Sequence, residues 1–357
     1  MPSLSVLPHP SITAAQAEFS GGRGYLAACT TGLPPRSSRA AVIADLDASA
    51  AGRPDPAGYS AAVERARRHF AALVGVGSDR VAIGSQASVA VALFAASLET
   101  GAEVLIAEGD FSSIVLPFVH AGRSLRIRTA PLTALAEAVH AGTAAVVFSL
   151  VQSATGERAD LESILGAARA HGARTLCDAT QAVGWLPVEA SRFDALVCHA
   201  YKWLCAPRGV SFLVVSEELQ REMPPLFAGW YAGSDPWASC YGGDIDLAPD
   251  ASRFDASPAW QAFVGAEPAL ALFASIDPVA LEAHTTGLAA AFRARIGLTA
   301  AGRPSAIVTW ADPDGADLAS LTAAGIVASG RAGRARVAFH VFNDEEDVDR
   351  ASAALGR

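Results

Sequence analysis

Short apolar runs alternate with alanine-rich stretches through the first two-thirds of the chain. The runs Arg80–Gly84, Glu103–Ala107, Leu125–Thr129, Ala144–Leu150, Thr175–Asp178, Ala195–His199 and Val210–Val215 are brief and rich in branched residues, so they read as strands. Between the first five lie alanine-rich stretches at 86–100, 112–121, 131–141 and 160–171, which read as helices; a further helix is expected from about Gly58 to Val74. Strands alternating with helices predict an α/β fold, a mainly parallel sheet covered by helices on both faces. A long uncharged run, Val81–Leu98, contains Gly84, Ser85, Gln86 and Ser88. It reads as a buried strand, a turn and a buried helix, and not as a membrane span.

The pattern changes at both ends. Residues 1–40 carry Gly21, Gly22, Gly24, Gly32, Pro34 and Pro35 and read as irregular. A stretch rich in Gly, Asp, Trp and Tyr at 228–258 reads as a site or interface loop. Helical stretches follow from about 259 to 296. A small α+β unit comes next, with strand 305–310, helix 315–324, strand 334–340 and helix 344–355.

Composition narrows the class. The chain has 357 residues, 51% of them hydrophobic and 18% charged, enough to bury a sizeable core. A net charge of −9 argues against a nucleic-acid binder, which needs a basic surface. The five cysteines, Cys29, Cys177, Cys198, Cys205 and Cys240, are odd in number and form no CxxC pair; they read as buried free thiols, with no disulfide framework and no zinc site. The N-terminal MPSLSVLPHPSITAAQ lacks the basic start and apolar run of a signal peptide, so a cytoplasmic location is expected.

In open α/β sheets ligands sit beyond the carboxyl ends of the strands. The residues that follow the strands here are Ser85–Gln86, Phe111, Gln152–Ser153, Asp178–Gln181 and His199–Lys202. Lys202 stands between Tyr201 and Trp203, close behind an apolar strand. A desolvated lysine has a lowered pKa and can attack an aldehyde; the plainer alternative is a lysine that snorkels to the surface. Asp178 ends another apolar strand, where a carboxylate needs a cationic partner, a helix-capping role or a salt bridge.

Together, DATQAVG (178–184) and HAYKWLCAPRG (199–209) resemble the class V aminotransferase family of fold-type I pyridoxal 5′-phosphate (PLP) enzymes. Cysteine desulfurases, kynureninases and isopenicillin N epimerase-like proteins belong to it. The resemblance runs from YLAACTTG near residue 25 to RVAFHVFN near 340. It implies PLP held on Lys202, Asp178 facing the pyridine nitrogen, Gln181 bonded to the phenolic oxygen and Phe111 stacked on the ring. The phosphate is expected at GSQAS (84–88), with Ser85 and Gln86 as ligands and His199 and Tyr201 as further candidates. Trp260 lies in a segment that in relatives reaches across a dimer interface toward the neighbour's phosphate. Arg336 stands where the family places the arginine that grips the substrate carboxylate; the alternatives are a surface arginine or a salt bridge to Asp344–Glu346, with Arg331 and Arg334 as nearby competitors.

Two departures from the family pattern matter. Relatives often carry Asn in the loop where this chain has Gln152-Ser153-Ala154-Thr155-Gly156, so the cofactor contact there is expected to pass to the short Ser153 hydroxyl or to Gln152. The stretch GIVASGRAGRARVAF has no cysteine ahead of Arg336, which argues against a persulfide-forming desulfurase.

The resemblance further implies an N-terminal segment (1–40) near the site, a large PLP-binding domain (41–255), a small C-terminal domain (256–357) and a homodimer. The expected substrate is an amino acid, and the reactions in order are transamination, C–S or C–C β-lyase chemistry, and epimerisation. The aromatic set Trp230, Tyr231, Trp237 and Tyr241 suits either a bulky substrate side chain or interface packing. A non-catalytic relative would have no need of Lys202, Asp178, Gln181 and Arg336. A nicotinamide enzyme would need a GxGxxG after the first strand, and GSQAS lacks it.

Overall fold

The computed structural model describes residues 9–299 and 302–356. In chain order the elements are α1 (Pro10–Gln16), α2 (Arg36–Ala50), α3 (Pro56–Leu73), β1 (Val81–Gly84), α4 (Ala87–Ser97), β2 (Glu103–Ala107), α5 (Ser112–Val119), β3 (Arg126–Ala130), β4 (Thr143–Ser149), α6 (Leu161–His171), β5 (Arg174–Asp178), β6 (Ala195–His199), β7 (Ser211–Val215), α7 (Glu217–Glu222), α8 (Trp260–Ala274), α9 (Pro278–Arg295), β8 (Ile307–Ala311), α10 (Ala316–Ala323), β9 (Ser329–Arg331), β10 (Arg334–Ala338) and α11 (Glu345–Ala354).

The large sheet has the order β1-β7-β6-β5-β4-β2-β3. Pairings from β3 through β6 are parallel, while β7 runs antiparallel to both β6 and β1. That reversal positions the site. A chain leaving β6 and entering an antiparallel neighbour stays at one edge of the sheet, so the 200–210 connection, which carries Lys202, lies at the carboxyl ends of β1, β2, β4, β5 and β6.

Strand alternation fills both faces. Val146, Phe148, Cys177, Leu196, Cys198, Phe212 and Val214 enter one core, and Ala145, Val147, Leu176, Ala195, Val197, Leu213 and Val215 enter the other. Each large apolar side chain buried this way contributes about 1.5–3 kcal/mol relative to exposure. Helices α3 and α8 cover the first face, where Phe70 stacks on Phe212 at 4.1 Å. Helices α4 and α5 cover the second. A smaller core joins Leu26 to α9, α11 and the three-stranded sheet β8-β10-β9.

Two expectations need correction, and one strand was not foreseen. The stretch at 131–141 holds only a short 3-10 turn, Leu132–Ala134; Leu132, Leu135 and Val139 still enter the core, but from a loop that crosses from β3 to β4. The first 40 residues are not wholly irregular, because α1 and the start of α2 lie there. The Pro34-Pro35 pair that disguised α2 immediately precedes its first turn, where proline is compatible with a helix start. Strand β9, three residues long, was too short to leave a periodic trace.

Among the described residues no single helix is long and apolar enough to cross a membrane. All five cysteines are free, four of them buried.

Candidate active site

Lys202 is the only lysine in the chain; every other basic side chain counted in its charge is arginine. The side chain is buried, 6% exposed, and makes no hydrogen bond or ion pair among the described residues. Its Nζ lies 5.2 Å from the Phe111 ring centroid and 5.7 Å from that of Tyr201. Burial pushes the ammonium pKa down, and the charge of Asp178 opposes that only in part. The loop carrying Lys202 is clamped from the N-terminal segment. The Gly32 N–H donates to the Tyr201 carbonyl at 2.8 Å, and a side chain at Gly32 would put a Cβ 2.1 Å from the Lys202 carbonyl oxygen. Only glycine permits that approach.

Asp178 ends β5 and is buried; its Oδ1 accepts from the Thr180 N–H at 2.8 Å. Burial pushes its carboxyl pKa up, against the Thr180 hydrogen bonds and the Lys202 charge. The two groups sense each other without forming an ion pair. Neither the surface lysine nor the structural salt bridge considered for these residues is present. Thr180 also accepts from the His199 N–H at 3.0 Å, tying the end of β6 to Asp178.

Gln181 is held at both ends of its amide. Trp203 Nε1 donates to Oε1 at 2.7 Å, and Nε2 donates to the Cys29 carbonyl at 2.9 Å. The indole fixes which end is the donor and leaves the second Nε2 hydrogen for another acceptor. Phe111, 46% exposed, starts α5 beside Lys202. Asp110 pins it there, accepting from Phe111 N at 2.7 Å and from Ser149 N and Oγ at 2.7 and 2.6 Å.

The phosphate expectation rests on three neighbouring features. Register aligns Gly84 with Ser211 and Ser211 with His199, so the ends of β1 and β6 meet at the start of β7. Helix α4 begins after Gln86 with no side-chain cap, and Ser85 and Gln86 are exposed. His199 Nδ1 is buried with no hydrogen-bond partner in the described structure, and burial pushes the imidazole pKa down to about 4, so the ring is neutral at pH 7. Open N–H groups at a helix start beside an unpaired buried ring nitrogen suit an anion. Tyr201 packs edge-on to His199 at 4.4 Å and takes the Arg208 guanidinium on its ring at 4.8 Å.

Arg336 departs from both plain alternatives. It is neither a surface residue, at 1% exposure, nor paired with Asp344–Glu346. Nε donates to Ser329 Oγ at 3.1 Å, Nη2 to Thr30 Oγ1 at 2.9 Å, and Nη1 to the Ser153 carbonyl and to Ser153 Oγ, the latter at 3.0 Å. These oxygen partners are neutral, no carboxylate among the described residues pairs with it, and the Cys29 thiol beside the guanidinium is the group that supports its charge. A buried guanidinium without a counter-charge is costly, and burial pushes its pKa down. Ser153, expected beside the cofactor, spends both oxygens on Arg336, and Gln152 donates to the Glu108 carbonyl at 3.1 Å. Thr30, Ser329, Thr180, Ser211 and the Cys29 carbonyl were not singled out from the sequence; for Thr30 and Cys29 the signal was present in YLAACTTG.

Trp260 stands at the start of α8. It stacks on Tyr59 at 5.0 Å and packs near Trp230 and Trp237, with its Nε1 buried and unpartnered in the described structure. Tyr231 is buried, whereas Tyr241 is 94% exposed.

A lone buried lysine, a strand-end carboxylate seeking a cation, an aromatic face and an anion-ready helix start form a donor set that fits PLP, and the architecture is that of the fold-type I PLP-dependent enzymes. A cystine C–S lyase solved with cysteine persulfide has the same fold, with a TM-score of 0.84 at 19% identity over 94% of this chain and 97% of that one. The aminotransferase class-V family profile matches residues 54–310. The chain therefore belongs to the aminotransferase class-V family. It is 31% identical to isopenicillin N epimerase of Streptomyces clavuligerus over 183 residues, 46% of each chain. It is 28% identical to kynureninase of Deinococcus radiodurans over 247 residues, 66% of this chain and 59% of that one. The matches span about half the length of these curated relatives.

Proposed function

We infer that the protein acts on an amino acid at its α-carbon, with PLP held by Lys202, and that the reaction is a transamination. One observation carries the substrate class: Arg336 is buried and charged, with four hydrogen bonds to neutral groups and no carboxylate partner among the described residues. A planar guanidinium so placed can take a substrate carboxylate by exchanging one of these neutral partners for it, alongside its remaining free Nη2 hydrogen.

The residues divide the work. Ser85, Gln86, His199 and Tyr201 would hold the phosphate. Phe111 would cover the ring face, and Gln181 would offer its spare Nε2 hydrogen to the phenolic oxygen. The Asp178 carboxylate would hold the proton of the ring nitrogen, which supplies the positive partner its burial demands. Bound there, PLP would supply an electron-withdrawing ring that absorbs the electron pair left when a bond at the α-carbon breaks. Lys202, with its lowered pKa, is the base suited to take the α-proton near neutral pH. Trp260 completes the phosphate end in a homodimer, and the chain divides into a large PLP-binding domain and a smaller C-terminal one.

A second reading, C–S or C–C β-elimination, is compatible with the β9–β10 hairpin. Its two-residue turn, Ala332-Gly333, leaves no loop over Arg336, and hence neither a loop cysteine nor a cover above a long side chain. The PLP-loaded protein, supplied with single amino acids and a 2-oxo acid acceptor, distinguishes the two by product analysis. Transfer of the amino group to the acceptor is the expected result. Ammonia with a pyruvate-like product would instead establish the lyase, and no reaction with any amino acid would overturn both.

A further inference from the structure

Register in the small sheet pairs Ser329 with Arg336 and Arg331 with Arg334. Strand alternation then puts Ser329, Arg331, Arg334 and Arg336 on one face. Ala335 and Val337 point the other way, into the small core. Three guanidiniums thus share a face, and no carboxylate among the described residues forms an ion pair with any of them.

Two of the three have settled partners. Arg334 gives its hydrogen bonds to the Thr309 carbonyl and hydroxyl, and Arg336 is satisfied as described above. Arg331 is exposed at the shoulder of the turn. It donates from Nη1 to the neighbouring Gly330 carbonyl and from Nη2 to Thr30 Oγ1 at 3.5 Å. The same Thr30 oxygen accepts from Arg336. Two guanidiniums therefore converge on one hydroxyl, within two hydrogen-bond lengths of each other; burial and the Arg331 charge both weaken the Arg336 cation, and the Cys29 thiol opposes them. The turn that carries Arg331 has positive φ at both Ala332 (50°) and Gly333 (71°), the geometry of a tight two-residue hairpin. It is thus a fixed shoulder and not a long flexible loop. Like charges brought this close call for an anion, and one carboxylate on Arg336 leaves Arg331 without one.

We propose that Arg331 is a specificity residue that binds a second acidic group on the substrate side chain, so that the preferred substrate is an amino acid with two acid groups, the distal one a carboxylate, sulfinate or sulfonate. The proposal rests on Arg336 taking the α-carboxylate. In it, the substrate lies between the two guanidiniums with its distal group at the open mouth of the site.

The test uses acids that carry no amine and so do not react. The PLP-loaded protein is titrated calorimetrically with butyrate and with succinate and glutarate, in the wild type, Arg331→Gln and Arg336→Gln. The wild type is expected to prefer one of the diacids to butyrate by roughly tenfold, the contribution of a charged hydrogen bond near solvent. Arg331→Gln is expected to lose that preference while still binding butyrate, and Arg336→Gln to lose butyrate. A wild type without the preference, or an Arg331→Gln that keeps it, would overturn the proposal alone. Butyrate binding unchanged in Arg336→Gln would show that the underlying reading of Arg336 has failed.

Discussion

Lys202→Ala is expected to lower turnover by about 10⁴-fold or more while leaving the protein folded. The asymmetry follows from the surroundings of the side chain. Among the described residues the Lys202 side chain makes no hydrogen bond or ion pair, so its removal breaks no polar contact there and relieves the cost of a buried amine. What disappears is the single nitrogen placed between Phe111 and Tyr201, and no other lysine exists to replace it. Steady-state rates beside a thermal melt check this. A melting temperature within a few degrees of wild type with a collapsed rate is the expected pair of results; a small amine added to the variant should restore part of the rate. A variant that keeps more than a tenth of wild-type turnover would contradict the assigned role.

Asp178→Asn is expected to cut turnover by about 10²–10³-fold, the size of losing one preorganised charge, yet to stabilise the cofactor-free protein at pH 7. The amide keeps an oxygen for the Thr180 N–H and removes a buried charge. The pH dependence has a definite sign. Asp178 titrates higher in the folded protein than its ordinary 3.8, so above 3.8 the folded state binds more protons than the unfolded one. Stability from this group is therefore full below 3.8 and is lost as pH rises through the folded value. The stabilising effect of Asp178→Asn should be present at pH 7 and vanish in melts taken below about 3.8. If Asp178 were a structural charge, the variant would be less stable at pH 7 and little impaired in rate.

The sequence was most legible where one local rule governs. Strand runs such as Glu103–Ala107 and Ala195–His199 match the observed β2 and β6 because buried strands must be apolar throughout. The carboxyl-end rule drew Ser85, Asp178, His199 and Lys202 together before any coordinates, since a sheet gathers such residues along one edge. Partnerships made across the chain were not legible. Thr30 and Ser329 reach Arg336 from positions 306 and 7 residues away; the motif YLAACTTG marked the Thr30 segment but not its partner, and nothing local at Ser329 signals the contact. The Ser153 contact was hidden for the same reason: position in a family pattern points toward the cofactor, while the hydrogen bonds its oxygens accept come from Arg336. The absence of any other lysine was visible by counting and is the sharpest compositional sign of what Lys202 does.

That count makes one measurement decisive. The PLP-loaded protein is reduced with borohydride, digested and mapped by mass spectrometry. Lys202 and the N-terminal amine are the only primary amines in the chain, so attachment has two possible addresses. The account predicts a reduced pyridoxyl group on the peptide containing Lys202 and on no other. A label confined to the N-terminal peptide, or no label on a protein shown to bind PLP, would contradict it.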